Sequence, residues 1–72
     1  MAAVKWEDIS GYINEAFEIT GRVLRGDVLA LAERDGASDD IIDALDAIGS
    51  RAFNSPADVR AFLVDQGYVV KQ

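Results

Sequence analysis

The 72-residue sequence contains neither cysteine nor histidine, and this double absence removes several kinds of chemistry. Without cysteine the chain forms no disulfide and offers no thiolate to a zinc ion, and without histidine it lacks the commonest catalytic base and metal ligand. A serine nucleophile needs a base to take its proton, and the only lysines, Lys5 and Lys71, lie near the two ends of the chain. We therefore expect a protein that is not an enzyme and that uses no metal ion or cofactor.

Long apolar runs are also missing. The densest apolar segments, 28–32 and 61–64, are far shorter than the roughly 20 residues that a membrane-spanning helix needs. The chain turns acidic at Glu7 and Asp8 before the apolar part of a secretory signal could form. We expect no membrane contact and a cytoplasmic location, which the lack of cysteine also favours.

Positive charge is scarce. Seven lysines and arginines stand against thirteen aspartates and glutamates, which gives a net charge of −6. The basic residues are spread along the chain, so they predict no basic patch for phosphate groups. Direct binding to nucleic acid is therefore not expected.

What the sequence does contain is apolar residues, half of the total, at helical spacing. The length corresponds to one domain, 1–72, and periodicity predicts helices over about 6–17 and 24–35. Thr20-Gly21 and Gly36 are expected to end them. The predicted inner faces are Trp6, Ile9, Ile13, Ala16 and Phe17 in the first helix, and Leu24, Val28, Leu31 and Ala32 in the second.

Two further helices are marked by serine caps. Ser38 and Ser55 stand where an N-cap hydroxyl accepts a free backbone N–H, and Pro56 suits the first helical position. Gly49 and Gly67 are expected to close these helices. Their predicted inner faces are Ile41, Ala44, Leu45 and Ile48 in the third helix, and Val59, Phe62, Leu63 and Gln66 in the fourth.

The last segment, 68–70, is short and rich in residues that favour strands. It is expected either to pair with 17–23 as a minimal ribbon or to pack as a tail. The predicted fold class is all-α, a compact bundle of about four short helices, with a two-stranded β-ribbon as an open addition.

Several features along roughly residues 25–62 form a recognisable combination. They are the segment 27–37, the pair Asp39-Asp40, the apolar residues Ile41, Leu45 and Ile48, the aromatic Phe53, and Ser55-Pro56-Ala57-Asp58-Val59. Together they resemble a known family, the bacterial domain of unknown function numbered 2795, which consists of short helical proteins. The chain departs from the family at Ile48-Gly49, where the family usually has Leu-Pro, and at 21–23, where it usually has a proline. The resemblance implies a helical fold and a bacterial regulator or accessory protein, and it supplies no catalytic residues.

The candidate site is a set of carboxylates on the third helix. Asp39, Asp40, Asp43 and Asp46 fall within about 120° of a helical wheel, opposite the apolar face. Three interpretations are open: a solvated face, a contact surface for a basic partner, and a weak cation site. The calcium-binding loop is not among them, because its ligand spacing is absent.

Trp6 and Tyr68 complete the candidate set, since tryptophan and tyrosine are enriched at the centres of protein interfaces. The predicted function is a non-catalytic protein-interaction or accessory module, in which the acidic helix attracts a basic protein and the two aromatic residues anchor it. The alternative is a transcription-associated regulator that acts on DNA or on a DNA-binding protein. A homo-oligomer is a further open alternative.

Overall fold

The structure, a computed structural model, describes residues 3–70. In this part of the chain four helices surround a single apolar core, and a two-stranded antiparallel sheet joins two of the connections. The all-α expectation and the small ribbon are both confirmed. The elements are α1 (Trp6–Thr20), β1 (Val23–Leu24), α2 (Arg25–Arg34), α3 (Asp39–Asp46), β2 (Ala52–Phe53) and α4 (Pro56–Asp65).

Helix α1 is longer than the predicted 6–17. The Thr20 hydroxyl donates to the Ala16 carbonyl at 3.1 Å, and Gly21 adopts the left-handed φ of 76° and donates its N–H to the Phe17 carbonyl at 2.8 Å. These bonds satisfy carbonyls of the last turn. The predicted break at Thr20-Gly21 is therefore correct, and the helix continues up to it.

The predicted serine caps are present. The Ser38 hydroxyl accepts the Ile41 N–H at 3.4 Å, and the Ser55 hydroxyl accepts the Asp58 N–H at 3.3 Å. Gly36 takes a φ of 69°, and its N–H donates to the Glu33 carbonyl while that of Ala37 donates to Ala32. This pair of bonds is a Schellman motif, which turns the chain from α2 towards α3.

The ribbon does not have the predicted partners. Val23 pairs with Phe53 and Leu24 with Ala52, so the ribbon ties the α1–α2 connection to the α3–α4 connection. Of the two alternatives for 68–70, pairing with 17–23 is not observed, and the segment packs against the start of the chain. Tyr68 follows the left-handed turn at Gly67, which directs the chain back so that Val69 pairs with Val4.

The core contains no buried polar or charged residue among those described. The periodic positions of all four helices supply most of it. Two predicted core positions are wrong. Leu24 lies in β1 rather than in a helix, and 37% of its surface is exposed. Gln66 lies beyond the end of α4 and is exposed. The buried residues are Val4, Ile9, Ile13, Ala16, Val23, Val28, Ala32, Ala44, Leu45, Ile48, Val59, Leu63 and Val69.

Candidate functional site

The acidic face of α3, formed by Asp39, Asp40, Asp43 and Asp46, is present in the structure. Asp39, Asp40 and Asp46 are exposed and Asp43 is half-buried. The helix is held by its other side, where Ala44 and Leu45 enter the core. The carboxylates therefore lie on the side of the helix that the core does not use.

Asp46 differs from the other three because it has a partner. Its Oδ1 accepts a hydrogen bond from Nη1 of Arg25 at 2.8 Å, in an ion pair whose side chains are about half exposed. Such a surface pair contributes roughly 0.2–1 kcal/mol. Asp39, Asp40 and Asp43, called the acidic trio from here on, form no ion pair with another described residue.

The acidic residues do not converge. Within residues 3–70, no three carboxylates come close enough together to hold a metal ion. The acidic trio is spread along just over one turn of α3, with Asp39 and Asp40 exposed and Asp43 half-buried. This arrangement provides a diffuse negative potential and no coordination site.

Trp6 and Tyr68 belong to the first and last parts of the described chain. Each is half-buried, and the guanidinium carbon of Arg60 lies 5.9 Å from the centre of the Trp6 ring. The Val4 N–H donates to the Tyr68 carbonyl at 3.0 Å, which joins the two terminal segments. Among residues 3–70, no hydrogen bond, ion pair or ring contact links this pair to the acidic face.

A second group of charged residues connects α1 with the end of α2. Arg34 lies between two carboxylates, 3.4 Å from Glu15 and 3.6 Å from Asp35. Partial burial, and then the nearby Asp35 carboxylate, raise the pKa of the Tyr12 phenol above its ordinary value. Arg34 acts in the opposite direction. This group fixes the positions of the two helices and leaves Arg34 compensated.

An open apolar groove lies between α1 and α2, and sequence reasoning missed it. Its volume is about 210 Å³, and its lining is almost entirely apolar. Ile19, 70% exposed, stands at its edge. Because the first helix was expected to end at Phe17, Ile19 was not placed on a helical face. The lining residues are Ala16, Ile19, Thr20, Asp27, Ala30 and Leu31.

The groove and the acidic face lie on opposite sides of α2. Arg25, which reaches Asp46 on α3, and Arg34, which reaches Glu15 on α1, are nine residues apart. At about 100° per residue this spacing places them half a turn apart around the helix. The groove faces α1, so it is on the Arg34 side.

None of the helices formed by residues 3–70 combines the length and the apolar character that a bilayer crossing demands.

Comparison with known proteins gives one positive result. No curated protein and no solved structure matches the chain. The family described as "Protein of unknown function (DUF2795)" matches residues 23–60, which agrees with the resemblance expected over roughly 25–62. The matched segment runs from β1 through α2, α3 and β2 into α4 and covers just over half of the chain. The chain therefore belongs to the DUF2795 family of proteins of unknown function.

Proposed function

We propose that this protein is a non-catalytic interaction module whose acidic face attracts a basic protein. The observation that carries the proposal is the acidic trio, Asp39, Asp40 and Asp43, on the outer side of a helix whose inner side is buried. No lysine or arginine occurs in α3 to compensate these charges. Asp39 and Asp40 lie in the first turn of α3, where the helix dipole favours carboxylates. Asp43 lies beyond that turn, so its repulsion with the other two disfavours folding slightly, and an interaction that uses the trio would explain its presence.

The expected mechanism is electrostatic steering. Negative charge on a protein of net charge −6 draws a basic partner towards the acidic face before contact and raises the association rate. Because the trio is exposed to solvent or nearly so, salt should screen this attraction strongly. Affinity would then come from contacts made after the encounter.

Three of the side-chain hydroxyl groups already have structural partners, which supports a non-catalytic role. Ser38 and Ser55 already accept backbone N–H groups as helix caps, and the Thr20 hydroxyl is bonded to the carbonyls of Ala16 and Arg22. The sequence offers no histidine or cysteine as an alternative base or nucleophile. A bacterial cytoplasmic location belongs to the same proposal and is favoured by the cysteine-free composition.

A charged peptide tests the steering directly. A synthetic peptide of lysine and serine is titrated into the ¹⁵N-labelled protein at low and high salt. We expect amide shift changes concentrated on α3, weakening steeply as salt is added. The triple variant Asp39→Asn, Asp40→Asn, Asp43→Asn should bind the peptide several-fold more weakly.

A variant of equal charge provides the control. Glu7→Gln, Glu33→Gln, Asp65→Asn removes three exposed carboxylates from the other three helices. If this control weakens peptide binding as much as the α3 variant does, net charge alone explains the attraction and the acidic face has no special role. Circular dichroism on both variants verifies that they are folded.

A further inference from the structure

The groove between α1 and α2 is an exposed apolar surface that the folding of this chain does not explain. Ile19 does not contribute to the core, since 70% of its surface is exposed, and Ala30 beside the groove is also exposed. Single exposed apolar residues are ordinary on protein surfaces. Here Ile19, Ala30 and Leu31 line one concave feature together, which is the arrangement that a docking surface requires.

The size of the groove limits its occupant. Sites for cofactors and drug-sized molecules usually measure about 300–1,000 Å³. This groove, at about 210 Å³ and open to solvent, is too small for such a ligand. It matches a single large apolar side chain that projects from another polypeptide.

The charges around the groove indicate which charge the bound polypeptide should carry. Asp27 lines one end, is only partly buried, and forms no ion pair with another described residue. The C-terminal turn of α1, whose carbonyls carry partial negative charge, borders the groove and contains no basic residue. At the other end Arg34 is already held between Glu15 and Asp35. Among the residues that line the groove, Asp27 is the one that carries a charge, and this charge is negative.

We propose that this groove binds a basic amphipathic helix of another protein, with one apolar side chain seated beside Ile19 and a lysine or arginine pairing with Asp27. Helices that dock in grooves carry apolar anchors three or four residues apart, and this groove has room for one such anchor. A second copy of this chain is a poor occupant because it also carries a net charge of −6. The inference rests on the proposed function in taking the partner to be basic, but it uses a different face of the molecule.

Two peptides of equal charge separate the groove from the acidic face. One combines lysine with leucine at helical spacing, and the other replaces each leucine with serine. We expect the leucine peptide to shift the amide resonances of Ile19, Ala30 and Leu31, and the serine peptide to shift only those of α3. The leucine peptide should also retain binding at high salt, because apolar contact is not screened.

Two variants should block the groove without disturbing the core, since both positions are exposed. Ile19→Ser removes the apolar edge and Ala30→Gln fills the space. Each should weaken binding of the leucine peptide by roughly tenfold, which corresponds to about 1.4 kcal/mol. Val70→Ser is the matched control, because Val70 is 43% exposed and does not line the groove. It should leave the affinity unchanged.

The outcomes distinguish the two proposals. Equal binding of the leucine and serine peptides, or equal loss in the Val70 control, overturns the groove as a docking site and leaves the acidic face intact. Loss of binding in the Ile19 variant, with no loss in the α3 variant, supports the groove and contradicts steering by the acidic face. Sedimentation of the free protein as a dimer that Ile19→Ser dissociates would show that a second copy occupies the groove, and would also overturn the inference.

Discussion

At the scale of single residues, the Ser55 hydroxyl gives the most direct test of the local structure. It accepts the Asp58 N–H at 3.3 Å and so satisfies one of the free donors at the start of α4. Removing it in Ser55→Ala should cost roughly 1 kcal/mol of the free energy of unfolding. For a domain of this size the melting temperature should fall by about 4–8 °C.

Ser50 serves as the control for this substitution. It is exposed, and its hydroxyl makes no hydrogen bond with another described residue. Ser50→Ala should leave the melting curve in place. An equal fall in both variants would show that the cap contributes nothing beyond the general effect of losing a surface hydroxyl.

Tyr12 provides a second test, through its titration. Partial burial and the Asp35 carboxylate raise the pKa of the phenol, so the folded state favours its neutral form. This contribution to stability is complete below the unfolded pKa of about 10 and is lost as the pH rises through the higher folded value. Asp35→Asn should lower the Tyr12 pKa towards its ordinary value, and NMR of the ring carbon that bears the hydroxyl would measure it.

The part of the shift that comes from burial should remain in the Asp35 variant. Glu33→Gln, which removes an exposed charge two residues away, should change the Tyr12 pKa much less. If the two variants lower the pKa equally, the cause is the overall charge and not the Asp35 carboxylate.

Individual residues could be predicted from the sequence where the cause is local. The serine caps and the left-handed Gly36 depend on a few neighbouring residues, and both predictions were correct. The pairing of Asp46 with Arg25 joins residues 21 positions apart and depends on how α2 and α3 pack. For this reason the sequence predicted the position of Asp46 on the acidic face and not its ion pair.

At the scale of elements, alanine substitutions at two glycines test helix propensity and turn geometry separately. Gly11 lies in the exposed middle of α1, and a Cβ added there would meet nothing within 4 Å. Gly11→Ala should raise the free energy of unfolding by about 0.5–1 kcal/mol, because alanine restricts the unfolded chain and suits a helix. Thermal melting measures the change.

Gly36 should respond in the opposite direction to the same substitution. Its Cβ would also meet no atom within 4 Å, but its φ of 69° is left-handed, and alanine there costs roughly 1–2 kcal/mol. Gly36→Ala should therefore lower the melting temperature. Stabilisation by both substitutions would mean that the Schellman turn does not form in solution.

The helices were predictable because apolar spacing and caps act within one element. The partners in the ribbon were not predictable, since each strand has only two residues and shows no alternation to detect. Val23 lies in β1 and is fully buried because β1 packs against α1, a consequence of packing that its neighbours in sequence do not indicate. The groove was missed for a similar reason, since it depends on where α1 ends and how α2 crosses it.

At the scale of the whole molecule, the excess of negative charge predicts the effect of salt on stability. The net charge of −6 is confined to a smaller volume in the folded state than in the unfolded chain. Repulsion between the negative charges therefore destabilises the folded state. Raising sodium chloride from 0.01 M to 0.1 M shortens the screening length from about 30 Å to about 10 Å. The melting temperature should rise with added sodium chloride, as differential scanning fluorimetry or circular dichroism would show.

Sodium chloride is preferred to sulfate because sulfate also strengthens apolar burial. The opposing contribution comes from the exposed ion pairs Arg25–Asp46 and Arg34–Glu15, which salt weakens. A melting temperature that falls as sodium chloride is added would mean that these pairs outweigh the general repulsion.

The pairing of Val4 with Val69 also brings the first and last described segments of the chain close together. Two backbone hydrogen bonds, from Val4 to Tyr68 and from Val70 to Val4, hold the first and last described segments side by side. Joining those segments through a short flexible linker would add little loop-closure entropy. The order of elements could then begin at another exposed turn position, such as Ser50, and the same core would still assemble. The fold thus suits circular permutation, and it equally suits insertion as a unit into a surface loop of a larger protein.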